Sequence, residues 1–433
     1  MKTPPGIRPV QRNLVTARGL TASPYPAEAS PVTHSPPEPQ LRAHPERDLR
    51  LDFFRGLSLL MIFIDHIPGN FLSHLTLHSI AFSDAAEVFV FVSGYAAALA
   101  YGRLFASKGL RIAVVHIYHR IWQLYVAHIF IFAVFAAEVS YSVLALHNWS
   151  YASTFRFSAF ANEPHIAIIQ ALLLRFQPAF LDILPLYIIL LGVFPVILVA
   201  IARHPVFAVV PSATIYLLTQ FLGWHLSAYP TGRVWLFNPL AWQFLFTIGA
   251  VLGYSKLAGA DWVPRASWLV KSAVIFAGSA ALVNISWVIH WTAVGSVPAI
   301  LSGPLEAYAR DKTNLDPLRL VSFLALAATT VYFVQPQHPV LRTRLANWLI
   351  ACGQNSLHVF CLGILLSVVG YFLLATEGDG LLIQILINLI GVVSMIGLGT
   401  LVAWYKAETH GYTTSALESV QSRREPLSDL VAH

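Results

Sequence analysis

Charged and titratable side chains interrupt stretches of this sequence that are otherwise apolar. In Leu51-Asp52-Phe53-Phe54-Arg55-Gly56-Leu57-Ser58-Leu59-Leu60-Met61-Ile62-Phe63-Ile64-Asp65-His66, Arg55 and His66 are eleven residues apart. On a helix that is about three turns with about 20° left over, so both point the same way, about 16 Å apart along the axis. A charge in a spanning helix costs several kcal/mol on insertion scales, so by default it marks a paired or functional interior position. Asp52 precedes Arg55 by three residues and can pair with it. A snorkelling anchor at Arg55 and an interfacial histidine at His66 would occupy the same positions without any chemistry.

Three further runs carry polar groups. Phe82-Ser83-Asp84-Ala85-Ala86-Glu87 opens the second run with two acids three residues apart on one face. Asp84 suits a helix N-cap, whereas Glu87 lies deeper. Small residues from Ser93 to Ala98 then allow another helix or a ligand close to the backbone. In the third run His116, His119, Arg120 and Gln123 crowd one side of a helix start, where a basic flank is the plain alternative. The ninth run holds Gly353-Gln354-Asn355-Ser356-Leu357-His358, which could be hydrogen-bonding glue between helices.

These residues must be positioned by membrane helices. The chain has 433 residues, 56% hydrophobic and 11% charged, against about 25% charged in soluble domains. The bilayer is therefore its expected solvent. Ten apolar runs, near 50–67, 83–105, 113–139, 181–201, 205–226, 238–257, 268–294, 318–336, 349–374 and 381–405, each approach the 17 to 25 residues that span about 30 Å of hydrocarbon. The expected fold is all-α and polytopic, with about ten transmembrane helices over 49–405. Residues 1–48, punctuated by prolines, are expected to be a disordered tail, and 406–433 a second tail.

Lys108, Arg111, Arg203, Lys256, Arg265, Lys271, Arg342, Arg344, Lys406, Arg423 and Arg424 fall on the side of the basic N-terminal tail. That bias places both termini in the cytoplasm of a bacterial inner membrane. The net charge of +6 then reflects cytoplasmic loops and gives no argument for nucleic acid. Long loops near 140–180 and 295–317 would face outward, with Trp149, Tyr151, His165, Trp291 and Tyr308 suiting a rim for a polar acceptor. Cys352 and Cys361 are about 13.5 Å apart in helical rise, too far for a disulfide, and no metal site is expected. No cleavable signal peptide is expected either.

Arg55, ten residues and His66 resemble the Arg-x10-His signature of the integral-membrane type 3 acyltransferases. Glu87 to Tyr95 is similar to their second-helix acid, aromatic stretch and Ser-Gly-aromatic. Arg120 to Tyr125 resembles their third-helix Arg and aromatic, without the proline common there, and Gly353 to Phe360 their late Gly-x2-Ser helix. More narrowly, Asp48 to Gly56, Ile64 to Pro68 and Ser83 to Glu87 resemble the OpgC branch, whose namesakes succinylate osmoregulated periplasmic glucans.

The resemblance implies that acyl-CoA, with succinyl-CoA as the natural candidate, donates from the cytoplasm to a hydroxyl of a periplasmic glucan or other envelope polysaccharide. No bound cofactor is implied beyond this co-substrate. Arg55 would hold an anionic part of the donor. His66, with an ordinary pKa of about 6.5, would be the general base. Glu87 or Asp84 would orient it, since Asp65 is about 100° round the helix. Asp52, Ser93, Arg120, Ser356 and His358 would support the site. No nucleophile constellation stands out, so direct transfer without an acyl-enzyme is expected. A proton-coupled transporter using His66, Glu87 and Arg120, or a non-catalytic partner in envelope assembly, are the rival readings.

Overall fold

A computed structural model of the chain describes residues 48–260, 266–292, 306, 309 and 311–422, omitting the side chains of 291, 292 and 410–422. These belong to one unit, Leu41–His433. Each apolar run is helical: α1 (Leu49–Asp65), α2 (Ala85–Lys108), α3 (Leu110–Ala145), α4 (Ile183–Arg203), α5 (Val206–Leu222), α6 (Pro239–Ala258), α7 (Ser267–Thr292), α8 (Pro317–Phe333), α9 (Arg344–Gln354), α10 (Ser356–Glu377) and α11 (Leu381–Ser422). Two two-residue strands, Ser227–Ala228 and Arg233–Val234, pair antiparallel beside this all-α bundle. Among the described helices, six (α2, α3, α4, α7, α10 and α11) are long and apolar enough to cross a membrane, and α5 and α8 are apolar but shorter. The tail expected over 1–48 lies outside the described residues apart from Asp48, and the one expected from 406 begins as a continuation of α11.

Local chemistry sets the helix ends. Asp84 caps α2 through the Ala86 amide, while the Glu87 carboxylate accepts from the Asp84 amide, closing a capping box. Asn238 caps α6, Pro239 supplies its first turn, and Gly259 ends it at φ +66°. At the start of α1, Asp48 accepts from Arg50 Nη2 at 2.8 Å and Lys256 Nζ at 2.7 Å, joining α1 to the end of α6. Burial opposes the charge on Asp48, but these hydrogen bonds prevail and hold its carboxyl at about 2.

Bare backbone lets the central helices touch. A methyl group at Gly94 would meet the Phe246 carbonyl oxygen, and one at Gly249 that of Phe91, so α2 and α6 cross at van der Waals contact. Gly56 and Gly353 do the same for α1 and α9, against Leu349 and Asp52. Small residues at such crossings are the usual means of helix association where lipid removes the hydrophobic drive.

The run expected at 349–374 is one helix in sequence and two in structure. At Asn355 the backbone leaves helical geometry, with φ −111° and ψ +33°. Its Nδ2 donates to Ala351 O and to Gly399 O of α11, and Lys406 Nζ donates to its Oδ1 at 2.7 Å. Interhelical glue is thus the structural role of this polar stretch at Asn355. Gly56 meets Leu349 and Gly353 meets Asp52, so α9 runs antiparallel to α1, whereas Ser367 bonds to Phe63 O and Gly370 faces Ile67, so α10 runs parallel to it and the chain reverses at Asn355.

Candidate functional site

α1 ends at His66, which caps it by donating its amide to Ile62 O. The imidazole stacks on Phe180, with ring centroids 4.4 Å apart and planes at 26°. Phe180 reaches this position with φ +73°, a left-handed backbone that is an outlier for an aromatic residue. Phe155 supports it edge-on at 5.8 Å. Nδ1 of His66 is buried without a hydrogen-bond partner among the described residues. Burial, reinforced by Lys312 and Arg156 and opposed by Asp84, lowers its pKa to about 3.

The acids expected to orient His66 are engaged elsewhere. Glu87 is fully buried, and its Oε1 accepts from Arg319 Nε at 2.8 Å while Oε2 accepts from the Asp84 amide. Asp84 pairs with Lys312 at 2.5 Å and Arg319 at 3.2 Å, and these two cations hold its carboxyl well below the carboxylate range in spite of burial. No hydrogen bond from either acid to His66 is formed among the described residues. Asp65 turns away too, accepting from Thr76 Oγ1 at 2.6 Å and pairing with His78 Nδ1 at 3.4 Å. Arg156, also at φ +53°, donates to Asp182 Oδ2 at 2.7 Å, and burial raises the Asp182 carboxyl above its ordinary value. A cavity of about 240 Å³ lies among Asp65, His78, Asp84, Trp287, Lys312 and Arg319.

Towards the Asp48 end of the bundle, a second cavity of about 150 Å³ is lined by Arg55, Ser93, Arg120 and Ser356, with Phe89, Tyr187 and Phe360 among its apolar walls. Arg55 Nη2 donates to Val92 O at 3.1 Å, drawing the guanidinium across α1 to α2 beside Ser93. Arg120 Nη1 donates to Gln123 Oε1 at 3.1 Å. Phe89 packs on Tyr187 and on Phe360 at centroid separations of 6.4 and 6.3 Å. On α2, Phe89 is the lining residue nearest Glu87, so this aromatic layer separates the arginine cavity from the buried ion-pair cluster.

With that arrangement in place, a family model described as "OpgC protein" matches residues 47–407. The chain belongs to the OpgC family. No curated protein and no solved structure matches it.

In this OpgC chain the structure brings Arg55, Ser93, Arg120 and Ser356 to one cavity, and gathers His66, Asp84 and Glu87 at the other end of α1 and α2. Asp52 stands apart from both, accepting from Gln354 Nε2 at 3.4 Å. His358, like His116 and His119, is exposed and lines neither cavity. Of the aromatic rim expected in the outer loops, Tyr151 is buried against Tyr371 and Phe372, Trp149 is 65% exposed, Trp291 is described in its backbone alone, and Tyr308 lies outside the described residues. Arg319, Lys312 and Arg156 are not among the site residues expected from the sequence. Arg319 carried a signal nonetheless, since a cation in the first turn of an apolar run needs a partner.

Proposed function

We propose that this OpgC-family chain is a membrane-embedded O-acyltransferase that moves an acyl group, succinyl being the first candidate, from cytoplasmic acyl-CoA to a hydroxyl of a periplasmic glucan. The single observation carrying this reading is the placement of an arginine-lined cavity and of His66 along one face of α1, with an aromatic layer between them. Arg55 and Arg120 offer two guanidinium groups to an anionic donor. Beyond the layer, a neutral imidazole with an unpartnered Nδ1 offers Nε2 to a hydroxyl.

In the step proposed, the glucan hydroxyl oxygen attacks the thioester carbonyl carbon as His66 Nε2 takes its proton. The C–S bond then breaks, the acyl ester stays on the glucan, and the CoA thiolate leaves with the proton returned from His66. Phe180 fixes the plane of the imidazole where a carboxylate would do so in a hydrolase triad. The Asp84, Lys312 and Arg319 cluster supplies a fixed polar environment on that side. Ten crossings follow if α9, too short to span, is left out of the count, with both termini in the cytoplasm of the inner membrane.

The test is transfer by purified full-length protein in detergent, with labelled succinyl-CoA and a glucan oligosaccharide. Label in the glucan supports the reading. A transporter cannot produce that result without a sealed compartment, so no transfer with any acyl-CoA, together with solute movement by sealed vesicles, would overturn it.

A further inference from the structure

The cavity beside Asp65 and Asp84 is left unused by the donor chemistry, and its lining is specific. Its rim is formed by Lys312, His78 and Asp65, with side chains 38, 29 and 20% exposed. Its floor is buried, being made of Ser83, Asp84, Asn284, Trp287 and Arg319. The cavity also adjoins the proposed base. Asp65 is the residue before His66, and Asp84 and Lys312 both act electrostatically on the imidazole.

Two features point to the class of ligand. The lining is of mixed sign, Asp65 and Asp84 beside Lys312 and Arg319, with each cation already paired to a carboxylate, Lys312 to Asp84 and Arg319 to Glu87, so no unpaired cation is left to select an anion. It offers instead donors and acceptors side by side, along an indole wall, which matches a neutral polyol with one apolar ring face. Secondly, Ser83 is 1% exposed and its Oγ has no hydrogen-bond partner among the described residues. Asn284, 4% exposed, donates to Ala280 O and lines the same floor. Buried polar groups are nearly always satisfied, so the Ser83 hydroxyl awaits a partner from outside the chain.

We propose that this cavity binds a hexose unit of the acceptor glucan, with Ser83 and Asn284 hydrogen-bonding its hydroxyls and Trp287 against its ring face. The subsite rests on the acyl-transfer reading and extends it by giving the acceptor an address. The sugar it holds would keep the neighbouring unit's hydroxyl at His66.

The experiment uses full-length protein in detergent, a glucan oligosaccharide and succinyl-CoA. Ser83→Ala and Asn284→Leu should each raise KM for the oligosaccharide about 3- to 10-fold, the worth of one net hydrogen bond, and leave KM for succinyl-CoA unchanged. Calorimetric titration of the oligosaccharide without donor should weaken to the same degree. Thermal stability of Ser83→Ala should hold or rise, because an unpartnered buried hydroxyl contributes nothing to the fold. Unchanged oligosaccharide affinity in both variants, with transfer intact, would overturn the subsite and leave the acyltransferase reading standing. Binding of the oligosaccharide with no transfer from any acyl-CoA would instead remove the acyltransferase reading while keeping the sugar site.

Discussion

His66 is oriented by a ring and not by a carboxylate: Phe180 stacks on it, with centroids 4.4 Å apart and planes 26° from parallel, on a backbone held at φ +73°. Strain of that kind costs about 1–3 kcal/mol and persists only where the surroundings enforce it. Phe180→Tyr should therefore retain activity, whereas Phe180→Leu should lower kcat about 10-fold through lost orientation with KM for both substrates unchanged. Parallel losses in kcat and folded yield would assign Phe180 to packing alone.

His66→Ala should reduce transfer by about 10²- to 10⁴-fold while the protein still accumulates in the membrane and binds acyl-CoA. Near wild-type glucan modification in cells carrying this variant would exclude His66 as the base.

The acid limb of the pH profile follows from the lowered pKa of about 3. kcat/KM should stay level from about pH 5 to 8, without the half-maximum near 6.5 that an ordinary histidine gives. The same shift links to stability. The unfolded chain binds this proton more readily, so the contribution of His66 is complete above about 6.5 and is lost as pH falls towards about 3. A titration of kcat/KM that halves near 6.5 would contradict the buried, neutral imidazole.

Glu87 is read here as the partner of Arg319 in a fully buried pair, with Arg319 itself 4% exposed. Arg319→Leu should destabilise the protein by about 3–5 kcal/mol, because it leaves a carboxylate buried without its cation. Adding Glu87→Leu should recover most of that loss. Thermal unfolding in detergent, followed by intrinsic fluorescence, measures both steps, and equal destabilisation by the single and double variants would show that the pair does not act as a unit.

Arg55→Lys keeps a positive charge but gives up the planar fork that spans Val92 O and the cavity. KM for acyl-CoA should rise at least about 10-fold with oligosaccharide KM unchanged. Full activity with lysine would make Arg55 a membrane anchor.

Much of this arrangement is visible in the sequence, since its information is periodic and local. Ten apolar runs mark the helical segments, and the eleven-residue spacing of Arg55 and His66 places them on one face of α1. Asp84 and Glu87 declare a capping box by their spacing alone. What sequence leaves hidden is long-range. Glu87 meets Arg319 across 232 residues, and no hydropathy window pairs them. Phe180 looks like any loop aromatic until a left-handed backbone turns it onto His66. The break at Asn355 is only half declared: Gly353, Asn355 and Ser356 are weak helix formers, but the partners that fix it, Gly399 and Lys406, lie on another helix.

That break bears on how the protein is made. The partners of the Asn355 side chain on α11 include Lys406, 51 residues downstream, so they emerge from the ribosome after α9 and α10 have already been synthesised. Until α11 arrives, the Asn355 side chain has only Ala351 O of its own helix as a partner, and its contacts with Gly399 O and Lys406 are unmade. The final helix therefore acts as a latch on biogenesis. A chain cut before residue 399 retains every proposed catalytic group and loses both of those contacts.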